Sequence, residues 1–381
     1  MKLCVVAGEA SGDLHASEIL RELRTLDPEL VVFGIGGDLM ERQGVRLLHH
    51  ARELGIVGLF NVLRHLPMFR ALFSEILGEI ERQQPDAVLL VDYPDFNLRL
   101  ARACHQRGFR VIYYISPQVW AWRRNRVHHI ARYVDHMLVL FPFEEEFYRE
   151  HSVPVTYVGH PLVEQLERRH STVTEVEDGV PLRLALMPGS RRMEVQALLP
   201  PMLDAVRLLR LVRPVEAFIL KAPTISRDFI ESISAGSEGE TLPLVEHDEG
   251  QRLSRAHVAL SSSGTATLEA AVIGVPVVVM YHLSRGTYFL ARRLVKLSNF
   301  GLVNIVAGKQ IVPELIQQQV NGPRIVEAIQ EIVQPSKYRE IKEALAAVRE
   351  KLGGPGASRR AAEKVYKLMT EPHPRDSVSS S

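Results

Sequence analysis

Short β-branched apolar runs alternate with longer helical stretches along most of this 381-residue chain. This alternation constrains the fold strongly, because strands separated by helices pair in parallel, with each helix crossing back over a face of the sheet. Intervening segments such as 12–26 and 96–108 are long enough for these crossover helices. The pattern therefore predicts open, mostly parallel sheets. The predicted strands are 3–7, 31–34, 87–91, 110–115, 136–140, 155–158, 182–187, 216–220, 242–245, 257–260 and 275–280.

The strands form two series, separated by a polar, charged stretch at 164–180 that lacks clear periodicity. The chain is also long for a single hydrophobic core, so two domains are expected. We predict an N-terminal Rossmann-like domain over 1–165, a C-terminal Rossmann-like domain over 166–340, and C-terminal helices with a disordered tail over 341–381. The predicted fold class is α/β, with two doubly wound domains that face each other across a cleft. Ligands bind such sheets beyond the carboxyl ends of the strands.

Two turns in the second half are typical of phosphate-binding sites, because each follows an apolar run and opens a predicted helix. Backbone N–H groups and the positive end of the helix dipole are exposed there. We predict that Arg191 faces phosphate and that Glu269 accepts hydrogen bonds from ribose, which indicates a nucleoside diphosphate site. Asn304, in an apolar loop after the last predicted strand, is a further candidate contact for a base or a diphosphate. The two turns are Pro188-Gly189-Ser190-Arg191 and Ser263-Gly264-Thr265-Ala266.

A glycine-rich turn also follows the first predicted strand, with the sequence Gly8-Glu9-Ala10-Ser11-Gly12-Asp13. Its glycines allow a tight turn, and Ser11 or Asp13 is suited to cap the following helix. The G-x-G-x-x-G spacing of dinucleotide sites is missing at this place. A capped turn without a ligand and a ligand-binding turn both fit these residues, and the excess of polar groups at one strand end favours binding.

Two carboxylates, Asp92 and Asp95, follow the strand predicted at 87–91. Asp92 falls at the carboxyl end of that strand, where parallel sheets bind ligands. Partial burial raises the pKa of a carboxyl group, which would suit Asp92 to act as a general base. The alternative for Asp92 is a structural, hydrogen-bonding aspartate. For Asp95 we expect helix capping.

Both tryptophans, Trp120 and Trp122, follow the strand predicted at 110–115, and Arg123 and further cations come directly after them. Aromatic rings beside cations suit sugar faces, phosphates or lipid headgroups. A tryptophan pair at the core edge, followed by a solvated basic helix, fits equally well.

The stretch 56–77 carries more apolar surface than one core-facing stripe needs. We expect Pro67 to break it into two short pieces. Such a segment is suited to dip into a membrane interface, with its cations near anionic headgroups. An ordinary buried helix pair is the alternative.

Composition argues against several classes of protein. The formal net charge is only +1, so no overall field indicates a nucleic-acid partner. Cys4 and Cys104 are the only cysteines, which argues against a disulfide framework or a cysteine zinc site and fits a reducing cytoplasm. The chain has no Walker lysine motif, no signal-peptide core and no apolar run near the roughly 20 residues that span a bilayer. We expect a cytoplasmic protein, or one that sits on a membrane surface.

Taken in order, these segments resemble the lipid-A-disaccharide synthases, glycosyltransferases of the two-Rossmann-domain, GT-B type. The resemblance covers nearly the whole chain, and the order and spacing of its motifs together are highly specific. The motifs that carry it are Asp92-Tyr93-Pro94-Asp95-Phe96-Asn97, Ser116-Pro117-Gln118-Val119-Trp120-Ala121-Trp122-Arg123, Pro188-Gly189-Ser190-Arg191 and Ser263-Gly264-Thr265-Ala266-Thr267-Leu268-Glu269.

The resemblance implies a reaction. The family joins UDP-2,3-diacylglucosamine to 2,3-diacylglucosamine 1-phosphate, giving the β-1,6-linked lipid A disaccharide 1-phosphate and UDP, with inversion and without a metal or cofactor. Asp92 matches the essential aspartate, a candidate base for the acceptor hydroxyl, and Arg191 matches an arginine that holds the diphosphate. The positions matched to the UDP pocket are Gly189, Ser190, Arg191, Ser263, Gly264, Thr265, Ala266, Glu269 and Asn304. Those expected on the acceptor side are Gly8, Glu9, Ser11, Gly12, Asp13, Trp120 and Arg123.

The resemblance also implies a membrane-contacting apolar segment, which favours the interfacial interpretation of 56–77. It further implies peripheral association with the cytoplasmic side of the inner membrane, and a homodimer.

Three other functions remain in competition. Another UDP-sugar enzyme of the same architecture, such as a UDP-N-acetylglucosamine epimerase or a MurG-like transferase, fits the fold equally well. The aromatic and basic segment and the apolar stretch favour an acylated substrate over these. A non-catalytic nucleotide-binding module that docks on membranes predicts UDP affinity without transfer. An NAD-dependent oxidoreductase predicts NAD affinity, and its fingerprint is missing.

Overall fold

The computed structural model describes residues 1–55, 62–120, 125–173, 175–176, 179–236, 242–246, 250–282 and 299–372. They form two compact units. The first comprises Met1–Pro161 together with the C-terminal residues from Gly354 onward, and the second comprises Leu162–Gly353. The division thus falls a few residues before the predicted boundary at 165.

The first unit is built on one parallel seven-stranded sheet, in the order β3-β2-β1-β4-β5-β6-β7. The first six strands in this order, from β3 to β6, follow the 3-2-1-4-5-6 order typical of a doubly wound Rossmann sheet, and β7 extends the sheet at one edge. The strands are β1 Lys2–Ala7, β2 Val31–Gly36, β3 Arg46–His50, β4 Ala87–Val91, β5 Val111–Tyr114, β6 His136–Val139 and β7 Val155–Tyr157.

Helices cover both faces of this sheet, and alternate residues of each central strand therefore enter two separate cores. Val6 of β1 belongs to one core with Ile76 and Leu100. Val5 belongs to the other core with Ile19 and Ala361. Burial on both faces explains the unbroken apolar character of these strands.

The helices before the unit boundary are α1 Ala10–Leu26, α2 Asp38–Arg42, α3 Ala51–Gly55, α4 Val62–Gln83, α5 Pro94–Gln106, α6 Arg126–Tyr133 and α7 Pro142–Glu150. Helix α8, Pro161–Gln165, follows at the boundary.

The last helix among the described residues is α15, Ala357–Thr370. It belongs to the first unit although it follows the helices of the second unit in the chain. It packs along α1 and contributes Ala361, Ala362 and Val365 to a core of the first unit. The Arg360 Nε donates to the Val158 carbonyl at 2.8 Å. Residues 341–381 therefore do not form one separate region, because the apolar face of α15 is buried against α1.

Helix α4 differs from the two short pieces predicted around Pro67. The helix runs through this proline, which lies in its second turn and removes a single intrahelical hydrogen bond near the start. Farther along, Leu72 and Ile76 are buried in the core, whereas Met68 is exposed. Residues 68–77 thus pack as an ordinary amphipathic helix. Residues 56–61 of the predicted membrane segment lie outside the described residues.

The second unit has a parallel six-stranded sheet in the order β10-β9-β8-β11-β12-β13, again the Rossmann order. Helix α9 packs on α10 and α13, while α11 packs on α12 and α14. The strands are β8 Leu182–Met187, β9 Val215–Lys221, β10 Leu244–Glu246, β11 Val258–Ser262, β12 Val277–Tyr281 and β13 Glu314–Ile316. The helices are α9 Arg192–Arg210, α10 Arg227–Ala235, α11 Thr265–Ile273, α12 Leu302–Ala307, α13 Gly322–Ile332 and α14 Pro335–Lys351.

The predicted fold class is confirmed, with two doubly wound α/β sheets. Each of the eleven predicted strands coincides with a strand of the structure, whereas β3 and β13 were not predicted. Both are partly exposed edge strands, so neither has the apolar run of a central strand. The cleft between the domains stays a prediction. Among the described helices, none combines the length and the hydrophobicity needed to cross a bilayer.

Candidate functional site

Each Rossmann sheet has one switch point, where the strand order reverses and the loops at the carboxyl ends diverge to leave a crevice. In the first unit this point lies between β1 and β4, and Ala7 pairs with Val91 at their last residues. The turn from Gly8 to Asp13 follows β1, and the turn that begins with Asp92 follows β4. The structure therefore brings together two motifs that stand about eighty residues apart in the sequence.

Asp92 is half-buried at this switch point, in an unusual backbone conformation. Asp92 and Tyr93 both have positive φ angles, 48° and 50°. The pKa of the Asp92 carboxyl is raised from 3.8 to about 6, first by burial and then by the negative charge of Glu9. A carboxylate with this pKa is ionised at neutral pH and is a stronger base than an ordinary aspartate.

Gly8 and Tyr93 explain why the two turns approach each other so closely. A Cβ atom at position 8 would lie 2.5 Å from the Tyr93 ring, so only glycine leaves room for this aromatic side chain. Gly12 is less restricted, because a Cβ there would lie 3.4 Å from that of Ala7, an ordinary van der Waals contact. Glu9 directly precedes α1 and Ser11 lies in its first turn, so Ser11 does not cap this helix as predicted; both residues are exposed. The exposed pair beside Asp92 is available to a ligand.

Asp13 was predicted on the acceptor side, but the structure gives it another role. Its carboxylate accepts hydrogen bonds from the backbone N–H groups of Gly37, Met40 and Leu39, at 2.7, 3.0 and 3.1 Å. The side chain is buried and caps α2. The start of α2 thus engages this carboxylate in the structure, and a contact between Asp13 and the acceptor stays a prediction.

Trp120 was also predicted on the acceptor side, and it lies in the core instead. Its Nε1 donates to Oε1 of Glu144 at 3.1 Å, and its ring meets that of Phe143 edge to face. Glu144 is itself buried, and burial raises the pKa of its carboxyl from 4.5 to about 8. The core-edge interpretation fits Trp120 better than an open aromatic surface does. Arg123 lies outside the described residues.

In the second unit the switch point lies between β8 and β11, where Met187 pairs with Ser261. The turn that contains Gly189 and Arg191 follows β8, and the turn that contains Ser263 and Gly264 follows β11. Both predicted phosphate turns therefore start from adjacent strand ends. This is the place where Rossmann sheets bind nucleotides.

The first of these two turns is already capped by the protein. Oε2 of Glu194 accepts hydrogen bonds from the N–H groups of Ser190 and Arg191, at 3.1 and 3.3 Å. Its Oε1 lies 3.3 Å from Nη1 of Arg191. Gly189, with φ 124°, has no room for a Cβ, which would lie 2.5 Å from the same carboxylate. The N–H groups at the start of α9 that were expected to bind phosphate therefore donate to the Glu194 carboxylate. The spacing of Arg191 and Glu194 is that of a capping box, which the sequence analysis did not identify.

The second turn is open. Gly264, with φ 155°, has no atom within 4 Å of a Cβ position, and the first turn of α11 has no acidic residue and no side-chain cap among the described residues. Thr265 is exposed, and Ala266 is partly exposed. Ser263 holds the turn in place, because its N–H donates to Met280 and its hydroxyl to the Phe300 carbonyl. This helix start is suited to bind an anion.

Glu269 and Asn304 have different environments. Glu269 lies one turn into α11 and is only 7% exposed. Asn304 is fully buried in α12, not in a loop as predicted. Its Nδ2 donates to Val312 and Glu314, and its Oδ1 accepts from the N–H groups of Ile311 and Val312. The amide therefore holds residues 311–314 against the helix, and the contact of this side chain with UDP stays a prediction.

Sequence reasoning also missed two residues beside Asp92. Asn97 and Tyr113 both donate hydrogen bonds to the Asp92 carbonyl at 2.7 Å. Asn97 stands inside the motif that begins at Asp92, so its position was visible but its partner was not. Tyr113 has the sequence context of an ordinary strand residue, and no sequence pattern predicts that its hydroxyl donates to Asp92.

Comparisons with solved structures agree with this architecture. The UDP-GlcNAc 2-epimerase from Neisseria meningitidis bound to UDP-GlcNAc superimposes with a TM-score of 0.63 at 17% identity, covering 96% of this chain and 100% of the other. MurG from Acinetobacter baumannii gives a TM-score of 0.57 at 13% identity, covering 96% and 99%. At such identities the likeness shows the fold alone.

Sequence comparison is more specific. The family model described as lipid-A-disaccharide synthetase matches residues 3–367. The lipid-A-disaccharide synthase of Myxococcus xanthus is 42% identical over 375 residues, 97% of either chain. That of Trichlorobacter lovleyi is 41% identical over 378 residues, 97% of this chain and 98% of its own. With its motifs at both switch points and these matches over nearly its full length, the chain belongs to the lipid-A-disaccharide synthase family.

Proposed function

We propose that this glycosyltransferase, which catalyses the lipid A disaccharide step, works by inversion without a metal, with Asp92 as general base. The donor would be UDP-2,3-diacylglucosamine and the acceptor 2,3-diacylglucosamine 1-phosphate. The observation that carries the proposal is the half-buried Asp92 carboxyl at the switch point of the first unit, with a pKa raised to about 6. No other acidic residue of the motif has this environment, since the Asp95 side chain is 79% exposed.

On the donor side, negative charge grows on the diphosphate as the bond to the anomeric carbon breaks. The open start of α11 supplies the dipole and N–H groups that stabilise this charge. Arg191, whose side chain is 83% exposed, supplies a guanidinium from the neighbouring turn. In this proposal α11 is the principal phosphate site, because the N–H groups at the start of α9 are held by Glu194.

The roles of Glu269 and Ser263 follow from their places on the same turn. Glu269 would accept hydrogen bonds from the ribose hydroxyls, and Ser263 would fix the backbone that meets the diphosphate. Ser263 is held in place because its hydroxyl donates to the Phe300 carbonyl at 3.1 Å, and Glu269 lies one turn into the helix that follows. The support for these roles is the motif and the open helix start, and they stay proposals.

On the acceptor side, Asp92 would take the proton of the attacking hydroxyl while the oxygen bonds to the anomeric carbon opposite the leaving UDP. Attack from that face inverts the configuration. Its pKa near 6 leaves the carboxylate ionised at neutral pH and makes it a better proton acceptor than an ordinary aspartate. Glu9 and Ser11, exposed beside it, would contact the acceptor sugar or its phosphate.

Acylated substrates reside in a bilayer, so we also propose peripheral association with the inner membrane. The apolar stretch that ends at the start of α4 would make the contact, because most apolar side chains farther along the helix, such as Leu72 and Ile76, are packed on the core. A homodimer is proposed from the family resemblance. Flotation with anionic vesicles tests the first of these, and sedimentation equilibrium tests the second.

The deciding experiment mixes the purified protein with both acylated glucosamine substrates. We expect a β-linked disaccharide phosphate and free UDP in equal amounts, with the anomeric configuration read by NMR. Omission of the acceptor is the control, and it should leave the UDP-sugar intact. Epimerisation of the UDP-sugar, or an α-linked product, would contradict the proposal. Binding of UDP without any turnover would favour the non-catalytic module instead.

A further inference from the structure

The peptide group that follows Asp92 is anchored by two side chains from different elements. Tyr113, on the neighbouring strand β5, donates its hydroxyl to the Asp92 carbonyl at 2.7 Å. Asn97, in the first turn of α5, donates its Nδ2 to the same oxygen at 2.7 Å. On the other side of the residue, the Asp92 N–H donates to the Tyr114 carbonyl at 2.9 Å. Both backbone polar groups of Asp92 are therefore fixed.

This anchoring occurs where the backbone is strained. Two successive non-glycine residues, Asp92 and Tyr93, have left-handed φ angles, a conformation that persists only when surrounding contacts enforce it. Without those contacts Asp92 would relax toward an extended or right-handed conformation. The carboxylate would then leave its place beside Glu9.

Asn97 also joins the two strands that flank the switch point. Its Nδ2 lies 3.2 Å from the Val91 carbonyl and 3.4 Å from the Val6 carbonyl, at the ends of β4 and β1. The side chain is fully buried, and among the described residues its Oδ1 has no hydrogen-bond partner. A buried acceptor left unsatisfied lowers stability, so packing alone does not explain an asparagine here.

We propose that Tyr113 and Asn97 are positioning residues, which hold the Asp92 carbonyl so that its left-handed backbone keeps the carboxylate in reach of the acceptor hydroxyl. Neither residue touches the substrate in this proposal, and both act through Asp92. The inference rests on the proposed role of Asp92 as the base.

The test begins with Tyr113→Phe, which removes one donor and leaves the buried ring in place. We expect kcat to fall about 10- to 100-fold, as for a catalytic group displaced by about an ångström. KM for both substrates and the Kd of UDP should stay within about twofold, since uniform binding is not altered.

Tyr338→Phe is the matched control, because it removes the same group from the second unit. The Tyr338 side chain is likewise buried, and its hydroxyl donates to the His257 carbonyl at 3.1 Å. We expect this variant to lose a similar amount of thermal stability and to keep its kcat. Equal effects of the two substitutions on kcat would overturn the inference.

A double substitution separates a positioning role from a general structural one. In the Asp92→Asn background, Tyr113→Phe should cause little further loss, because the group that it positions is already gone. A full additional loss in this background would show that Tyr113 acts elsewhere. The pH dependence of kcat/KM gives a second readout, and its acid limb should shift in Tyr113→Phe but not in Tyr338→Phe.

The outcomes also separate this inference from the proposed function. If Asp92→Asn keeps its turnover, the proposed base is wrong and the inference falls with it. If Asp92→Asn is inactive and Tyr113→Phe behaves like Tyr338→Phe, only the inference fails. Asn97→Ala should also lower kcat, with its Tm measured first because the side chain is buried. If that variant does not fold, the Tyr113 series still decides.

Discussion

The Glu194 carboxylate lies 3.3 Å from the guanidinium of Arg191, the same residue whose backbone N–H it caps. The negatively charged Glu194 thus accepts hydrogen bonds from the same N–H groups that the sequence predicts to bind a diphosphate. Arg191 remains largely exposed in this arrangement. A nucleotide that reaches Arg191 must share it with Glu194 or displace Glu194 from it.

Glu194→Gln should therefore strengthen UDP binding. The amide keeps the size of the side chain but removes a negative charge next to Arg191. We expect the Kd of UDP to fall about two- to fivefold, since partly exposed ion pairs are typically worth roughly 0.2–1 kcal/mol. Titration calorimetry at low and high salt measures the change, which should shrink as salt screens it. Glu327→Gln, which breaks the exposed pair with Arg324, is the control. Weaker UDP binding in Glu194→Gln would show that Glu194 orients Arg191 instead.

Asp92→Asn should slow turnover strongly without loss of UDP affinity. Asparagine cannot accept the proton, and the removal of a positioned base typically slows a reaction by about 10² to 10⁴. In the parent enzyme we expect kcat/KM to rise with pH and level off above about 6, because the base works only when ionised. Steady-state rates from pH 5 to 8 measure both effects. Near-normal turnover of the variant would remove Asp92 from the mechanism.

The same substitution should make the protein more stable at neutral pH. The pKa of Asp92 is about 6 in the folded state and near 3.8 in the unfolded state, so the folded state binds more protons between these values. Stability from this group is therefore full below pH 4 and falls as pH rises to about 6. The Tm of Asp92→Asn minus that of the parent should grow over this interval. A difference in Tm that stays constant over this interval would contradict the raised pKa of Asp92.

The sequence predicts the fold better than it predicts the roles of polar side chains. The central strands are buried on both faces, so their apolar runs and the intervening helices define the sheets directly. The turns at the two switch points followed from the same pattern. The edge strands β3 and β13 were not predicted because their sequences, RLLHH and ELI, lack the β-branched apolar run on which the strand predictions rest.

Asp13 and Asn304 show why site prediction from sequence stops earlier. Each is a polar residue at a position where a ligand contact was reasonable. In the structure, the side chain of each forms hydrogen bonds with backbone groups of another segment. Asp13 caps residues 37–40, and Asn304 holds residues 311–314. The choice between a ligand and a distant N–H depends on how loops close, and no local spacing encodes that.

Gly8→Ala should destabilise the first unit and disturb Asp92. The new methyl group would meet the Tyr93 ring at 2.5 Å, so the ring or the turn must move. Overpacking of this kind costs about 1–3 kcal/mol. We expect a lower Tm and a lower kcat, because Tyr93 adjoins Asp92. Gly78→Ala in α4 is the control, since a Cβ there meets nothing within 4 Å, and it should stabilise the protein slightly. Unchanged kcat in Gly8→Ala would separate the Tyr93 ring from the site.

Asn304→Ala should weaken the second unit without a direct effect on UDP. The substitution leaves the N–H groups of Ile311 and Val312 and the carbonyl of Val312 without their partner. Each buried group left unsatisfied costs about 1–3 kcal/mol, so a large fall in Tm is expected. The Kd of UDP, measured well below that Tm, should stay within about twofold of the parent value, because both polar atoms of the side chain are engaged within the protein. A large rise in Kd without loss of stability would restore Asn304 to the UDP pocket.

The buried pair of Trp120 and Glu144 gives a spectroscopic prediction. Burial raises the pKa of Glu144 to about 8, so this carboxyl is mostly protonated at neutral pH and ionises as pH rises through 8. A negative charge that appears 3.1 Å from the indole Nε1 should change its emission. Trp122→Phe leaves Trp120 as the only tryptophan, and its fluorescence should titrate with a midpoint near pH 8. The transition should vanish when Glu144→Gln is added and persist when the substitution Glu146→Gln, at an exposed residue, is added instead.

The Tm should fall as pH rises from about 4.5 to about 8, because the folded state keeps a proton on Glu144 that the unfolded chain loses near pH 4.5. A midpoint near pH 4.5 would show that Glu144 is ionised in the folded protein at neutral pH, and a transition that survives Glu144→Gln would show that another group causes it.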